Sequence, residues 1–146
     1  MFQLSIAALV FATLFTGAAL YISLVEHPAR LRLADGPLLA QWQPSYRRAL
    51  PMQSGLAVAG GAAGIIVGYL SADWRWFAGS ILLLANWPFT LIFIMPVNKC
   101  LMAIPQREAG AGSRAMLVQW GKLHNFRSAL GAASVLFFTW TLASAG

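Results

Sequence analysis

Four apolar runs, Phe2–Val25, Met52–Leu70, Trp76–Met95 and about Ser128–Ala143, leave this chain of 146 residues few ways to fold. A hydrocarbon core about 30 Å thick takes roughly 20 apolar residues per helix, and the runs are close to that length. Only 10% of the residues are charged, against about 25% in soluble domains. Nothing is left over for a soluble domain. Residues 1–146 are therefore expected to form a single integral membrane domain, an all-α bundle of four transmembrane helices. The first run lacks the basic segment that opens a signal peptide, and its positive charge follows it instead of preceding it, so it reads as a retained helix.

Charge sets the expected topology. The formal net charge is +6, but nine of the ten basic residues (Arg30, Arg32, Arg47, Arg48, Lys99, Arg107, Arg114, Lys122 and Arg127) fall in or beside the first and third connections. Four spans put those connections on one side, which the positive-inside rule makes cytoplasmic. Both termini are then expected on the non-cytoplasmic side of what would be a bacterial inner membrane. Topology accounts for the basic residues, so no nucleic-acid partner is expected; the bilayer and a hydrophobic small molecule are.

Between helices 1 and 2, roughly Ala29 to Pro51, leucines and Trp42 alternate with Arg32, Asp35, Arg47 and Arg48, as in a segment lying along the membrane interface. His27-Pro28 is expected to end helix 1, because proline disfavours the α conformation at the residue before it. Helix 2 carries Gly60, Gly64 and Gly68 four apart, a groove for a close neighbour. That neighbour is either in this chain or, in a homo-oligomer or larger membrane complex, in another. Helix 3 contains Asn86-Trp87-Pro88, where Pro88 should kink it and Asn86 either bonds to a neighbouring helix or lines a cavity. Helix 4 is expected to extend back to an N-cap at Ser113, with Leu117, Trp120, His124, Arg127 and Gly131 on one face.

Topology then brings Glu26, His27, Arg30, Asn98, His124 and Arg127 to one membrane boundary, where ionisable groups usually pair or mark a functional path. Two chemistries fit. A histidine could act as general base, with Glu26 or Asn98 orienting it and an arginine stabilising the oxyanion that forms. Alternatively His27, His124 and Glu26 could bind iron or copper, although Glu26 and His27, adjacent on a regular helix, point about 100° apart.

The motifs Glu26-His27-Pro28-Ala29-Arg30, Trp42 through Arg47, Asn86-Trp87-Pro88, Pro96-Val97-Asn98 and Trp120 through Arg127 together resemble the anthrone oxygenase-like family of small four-helix membrane proteins. The resemblance spans essentially the whole chain. It implies oxidation of polycyclic aromatic ketones by O2 without a bound cofactor. On that reading His124 is the base, with His27, Arg30 and Arg127 as oxyanion partners. Trp42, Tyr46, Asn86, Trp87 and Trp120 would surround a greasy planar substrate. The competing expectation is a non-catalytic accessory subunit of a larger membrane complex.

Overall fold

The computed structural model describes residues 1–144. Among them, four helices are long and apolar enough to cross a membrane: α1 (Phe2–Arg30), α2 (Asp35–Ser71), α3 (Trp74–Ala103) and α4 (Ala111–Ala143). Each packs mainly on its neighbours in the chain, and α4 closes back on α1, giving an up-and-down square bundle. The core has two apolar layers. One, near the termini, contains Ala8, Ala12, Phe15, Ala57, Val67, Trp76, Leu83 and Phe138. The other, towards the basic end, contains Ile22, Leu38, Leu39, Trp42, Ile94, Leu101, Leu117 and Trp120. The buried polar side chains His27, Arg30, Gln53, Asn86, Thr90, Asn98, His124 and Arg127 belong to neither.

The helices outrun the apolar runs. Pro28 does not end α1: His27 keeps helical angles (φ −67°, ψ −44°), and its N–H reaches back five residues to the Ile22 carbonyl. The same happens on α3, where the N–H of Met95, just before Pro96, bonds the Thr90 carbonyl. A proline ring collides with the carbonyl four residues earlier and has no N–H to offer it. Here the helix widens by one π turn, Ile22–Glu26 or Thr90–Ile94, and continues. Such turns are frequent at functional sites. Pro88 does interrupt α3 as expected, at Ala85.

The segment between helices 1 and 2 is not a separate interfacial stretch. Asp35 to Leu50 belongs to α2, with Pro44 and Pro51 inside that helix. Leu38, Leu39 and Trp42 are fully buried against Leu101, Leu117 and Trp120, so the bundle holds this segment upright. Arg114 fastens the same end. Its guanidinium pairs with Asp35 and donates to the carbonyls of Leu31 and Leu33, tying the start of α4 to the α1–α2 turn. Helix α4 starts one turn earlier than expected, with Gly110 as N-cap and Ser113 accepting the Gly110 N–H at 3.0 Å.

The glycine groove of α2 is filled from within. Added Cβ atoms at Gly60, Gly61 and Gly68 would meet Leu83, Leu84 and Phe77, and one at Gly64 would meet Ser80 and Phe138. The face proposed for an oligomer is thus occupied by this chain's own α1, α3 and α4.

At the opposite end of the bundle, Asp73 caps α3 by accepting the Arg75 N–H at 3.0 Å. The Arg75 guanidinium, bonded to the same carboxyl, holds Asp73 below the usual carboxylate range. A carboxyl with a depressed folded pKa contributes stability above its unfolded pKa and loses it as pH falls through the folded one. Asp73→Ala should therefore cost about 1 kcal/mol near neutral pH, and thermal unfolding in detergent should show the difference from wild type shrinking in acid.

Candidate functional site

Trp120 is the hub of the polar end. His27 lies against its indole with ring centroids 5.1 Å apart, and His124 stacks on it at 4.8 Å. The two imidazoles, 97 positions apart in sequence, thus meet around one side chain. They do not occupy equivalent places. His27 Nε2 lies 3.0 Å from the Leu117 carbonyl oxygen. A carbonyl only accepts, so Nε2 carries the proton. The ring is wedged against Gly121, where a Cβ would come within 2.6 Å of two of its atoms. It lines neither of the cavities described below. The expected oxyanion role for His27 is not supported by this placement; the ring joins α1 to α4.

His124 is held differently, by a chain of two serine hydroxyls. Ser128 Oγ donates to the His124 carbonyl one turn back, at 3.3 Å. With its hydrogen in that bond, Ser128 accepts from Ser23 Oγ, 2.9 Å away. Ser23, having donated to Ser128, can only accept from His124 Nδ1 at 3.0 Å. Run from the Ser128-to-carbonyl bond, the relay puts the imidazole proton on Nδ1 and the lone pair on Nε2, in the cavity that His124 lines.

Glu26 orients neither histidine. Its Oε1 is taken by Arg30 Nη2, by Ser45 Oγ at 3.1 Å and by Gln41 Nε2 at 3.2 Å. Arg30 is buried and also donates to Ser45. Among the described residues no three His, Cys, Asp or Glu side chains gather as a metal site would require. The set His27, His124 and Glu26, expected as an iron or copper alternative, is therefore not assembled: its donors face Leu117, Ser23 and Arg30.

Two adjoining cavities lie between the core layers. The smaller, about 20 Å³, is lined by Arg30, Trp42, Tyr46, Asn98, Trp120 and His124 among others. It has room for about one water. The aromatic faces there are already in use: Trp42 and Tyr46 stack on each other at 5.0 Å with 2° between planes, and Trp42 meets Trp120 edge-on at 5.7 Å. These three rings form a wall and leave no slot between them. The larger cavity, about 160 Å³, lies between α2 and α3 and is lined by Ser54, Ala57, Asn86, Trp87, Leu91 and Met95. Both cavities share Leu50, Gln53, Thr90 and Arg127. Trp87 and Leu91, 44% and 55% exposed, stand on the lipid side.

Asn86 does not bond across to another helix. Its amide nitrogen donates to the Leu83 carbonyl at 3.0 Å, at the break near Ala85. That fixes Oδ1 as the free acceptor, and it has no partner. Asn98 Oδ1, Thr90 Oγ1, Gln53 Nε2 and Arg127 Nε are likewise buried without partners. Gln53, Thr90, Ser23 and Ser128 are the site residues that sequence reasoning missed. Gln53 had a legible signal, as a lone amide inside an apolar run. The serines had only their spacing: Ser23 precedes His27 by four residues, and Ser128 follows His124 by four.

A family model described as anthrone oxygenase matches residues 42–137. The chain belongs to the anthrone oxygenase family. The matched stretch covers most of α2, all of α3 and α4 as far as Phe137, and so takes in both cavities except for the Ile22 and Arg30 contributed by α1. No curated protein and no solved structure matches the chain.

Proposed function

We propose that this member of the anthrone oxygenase family oxidises a planar aromatic ketone bearing an acidic methylene, using O2 at the inner-leaflet end of the bundle. The observation that carries the reading is the hydrogen-bonded chain from His124 through Ser23 to Ser128, taken with the Ser128 hydroxyl donating to the His124 carbonyl. It leaves an imidazole lone pair in a cavity shared with a buried guanidinium, that of Arg127. A base and a cationic acceptor for the resulting oxyanion are what proton abstraction next to a carbonyl requires.

The substrate reaches the larger cavity laterally from lipid, past Trp87 and Leu91, and its methylene edge passes the shared residues Gln53, Thr90 and Arg127 to meet His124, which lines the smaller cavity. His124 Nε2 removes a methylene proton, and the negative charge settles on the carbonyl oxygen, facing Arg127. The carbanion passes electrons to O2 and bonds to it, giving a hydroperoxide at the former methylene. Loss of one water then leaves the quinone, with one O2 consumed and one water released per turnover. No metal or organic cofactor is part of this scheme.

The inner-leaflet assignment rests on the basic residues and on helix length. Counting about 20 residues inward from the ends at Ser71, Trp74 and Ala143 reaches the level of Gln53, Thr90, His124 and Arg127. The termini then face outward, and the basic ends of α2 and α4 stand in the cytoplasm.

Protein purified into nanodiscs should convert anthrone to anthraquinone with one O2 taken up per quinone, at a rate well above protein-free nanodiscs. Equal rates with and without protein, across a panel of anthrones, would remove the proposal.

A further inference from the structure

The chain has four acidic side chains, and each has its cation: Glu26 with Arg30, Asp35 with Arg114, Asp73 with Arg75, and Glu108 with Arg107. Of the remaining basic residues, Arg32, Arg47, Arg48, Lys99 and Lys122 are exposed. Arg127 is left over and is not exposed. It is 9% accessible and makes no hydrogen bond or ion pair among the described residues, and the Phe15 ring lies 5.6 Å from its guanidinium carbon. A ring face attracts a guanidinium but brings no negative charge. An uncompensated buried ion costs several kcal/mol, and a fold keeps one where a ligand supplies the counter-charge.

The surroundings describe that ligand. Both cavities meet at Arg127, together with Gln53 and Thr90. Gln53 Nε2 is a donor without an acceptor, and Asn86 Oδ1, farther along the larger cavity, is an acceptor without a donor. Apart from the hydroxyl of Ser54, everything else lining that cavity is apolar: Leu50, Ala57, Trp87, Leu91 and Met95. We propose that the cavity between α2 and α3 binds an aromatic acid, a planar apolar body bearing one carboxylate, with the anion on Arg127 and Gln53 and the ring system lying towards Trp87. A hydroxyl on the ring would find Asn86 Oδ1. This deepens the functional reading by naming a permanent acidic group on the ligand, which shares the five N–H donors of the Arg127 guanidinium with the carbonyl oxygen that takes the charge in turnover; it rests on that reading for the aromatic body alone.

The charge is tested by binding, apart from turnover. Anthracene-9-carboxylate, its methyl ester and palmitate would each be titrated into nanodisc-embedded protein at neutral pH, with binding followed by ligand fluorescence or by tryptophan quenching. The carboxylate should bind at least about thirtyfold more tightly than the ester, the size expected when one partner of a buried charge pair is removed. Arg127→Gln should abolish that preference, and Arg127→Lys, which keeps the charge, should retain most of it. Equal binding of acid and ester, or an unchanged preference in Arg127→Gln, would overturn the proposal. Palmitate binding more tightly than the anthracene acid would overturn the aromatic assignment. Anthrone turnover combined with equal binding would sink this proposal and leave the oxygenase reading standing; acid-selective binding without turnover would do the reverse.

Discussion

His124→Ala is expected to slow quinone formation by about 10²–10⁴-fold, the range typical of removing a positioned general base, while His27→Ala stays within about tenfold of wild type. The two histidines looked equivalent in sequence, each three residues before an arginine and each at a membrane boundary. The structure separates them by their hydrogen bonds. His124 Nδ1 is tied to Ser23, which leaves Nε2 as the ring nitrogen for the cavity that His124 lines. His27 spends Nε2 on the Leu117 carbonyl and packs outside both cavities. Steady-state turnover of anthrone by both variants, with O2 uptake as an independent readout, checks the split. Binding of the aromatic acid separates loss of chemistry from loss of fold: His124→Ala should still bind it, because Arg127 and Gln53 remain. The opposite ranking, with His27→Ala the slower enzyme, would move the base to the other side of Trp120. For His27→Ala the expected deficit is in stability, since the substitution removes a buried ring that joins α1 to α4 and leaves the Leu117 carbonyl without that donor.

How much of this was legible beforehand depends on what kind of interaction decided each feature. Helix count follows from apolar run length, and the runs are unambiguous in a chain with so few charges. The convergence of Arg30, Asn98, His124 and Arg127 followed from topology, because polar side chains stand out against an apolar background and lipid leaves them few places to go. The partners were harder to foresee. Glu26 and Arg30 are four apart on one helix, a spacing that favours pairing, yet the histidine beside them drew the acid into a catalytic role that the fold does not give it. Pro28 misled for a local reason. Pro28 and Pro96 break the hydrogen-bond pattern wherever they fall, but whether the helix then stops or widens depends on what lies on either side. With Ile22 buried before Pro28 and Ile94 before Pro96, and with His27, Arg30 and Asn98 buried around or after them, packing keeps each helix going. The same holds for Asp35 to Leu50, whose mixture of leucines and arginines suits an interfacial segment. It becomes part of α2 because Leu101, Leu117 and Trp120 offer its apolar face a protein surface.

Gly121→Ala should destabilise the bundle by about 1–3 kcal/mol, the cost of forcing an extra carbon into a filled interior, and should do so through His27. The added Cβ would lie 2.6 Å from both Cδ2 and Nε2 of that ring, closer than any non-bonded contact allows. A ring at the end of a free side chain could swing aside. This one has Trp120 packed against it and Nε2 committed to the Leu117 carbonyl, and it stands on a π turn that fixes where its backbone runs. Relief therefore means breaking the buried hydrogen bond or prying α1 from α4, and either loosens the wall behind which His124 stacks. Thermal unfolding in detergent should give the loss directly. The double variant Gly121→Ala with His27→Ala supplies the decisive comparison: with the ring gone, the new methyl has space, and most of the penalty of adding it should vanish. If the methyl costs as much in the His27→Ala background as in wild type, the contact between these two residues is not what holds α1 against α4.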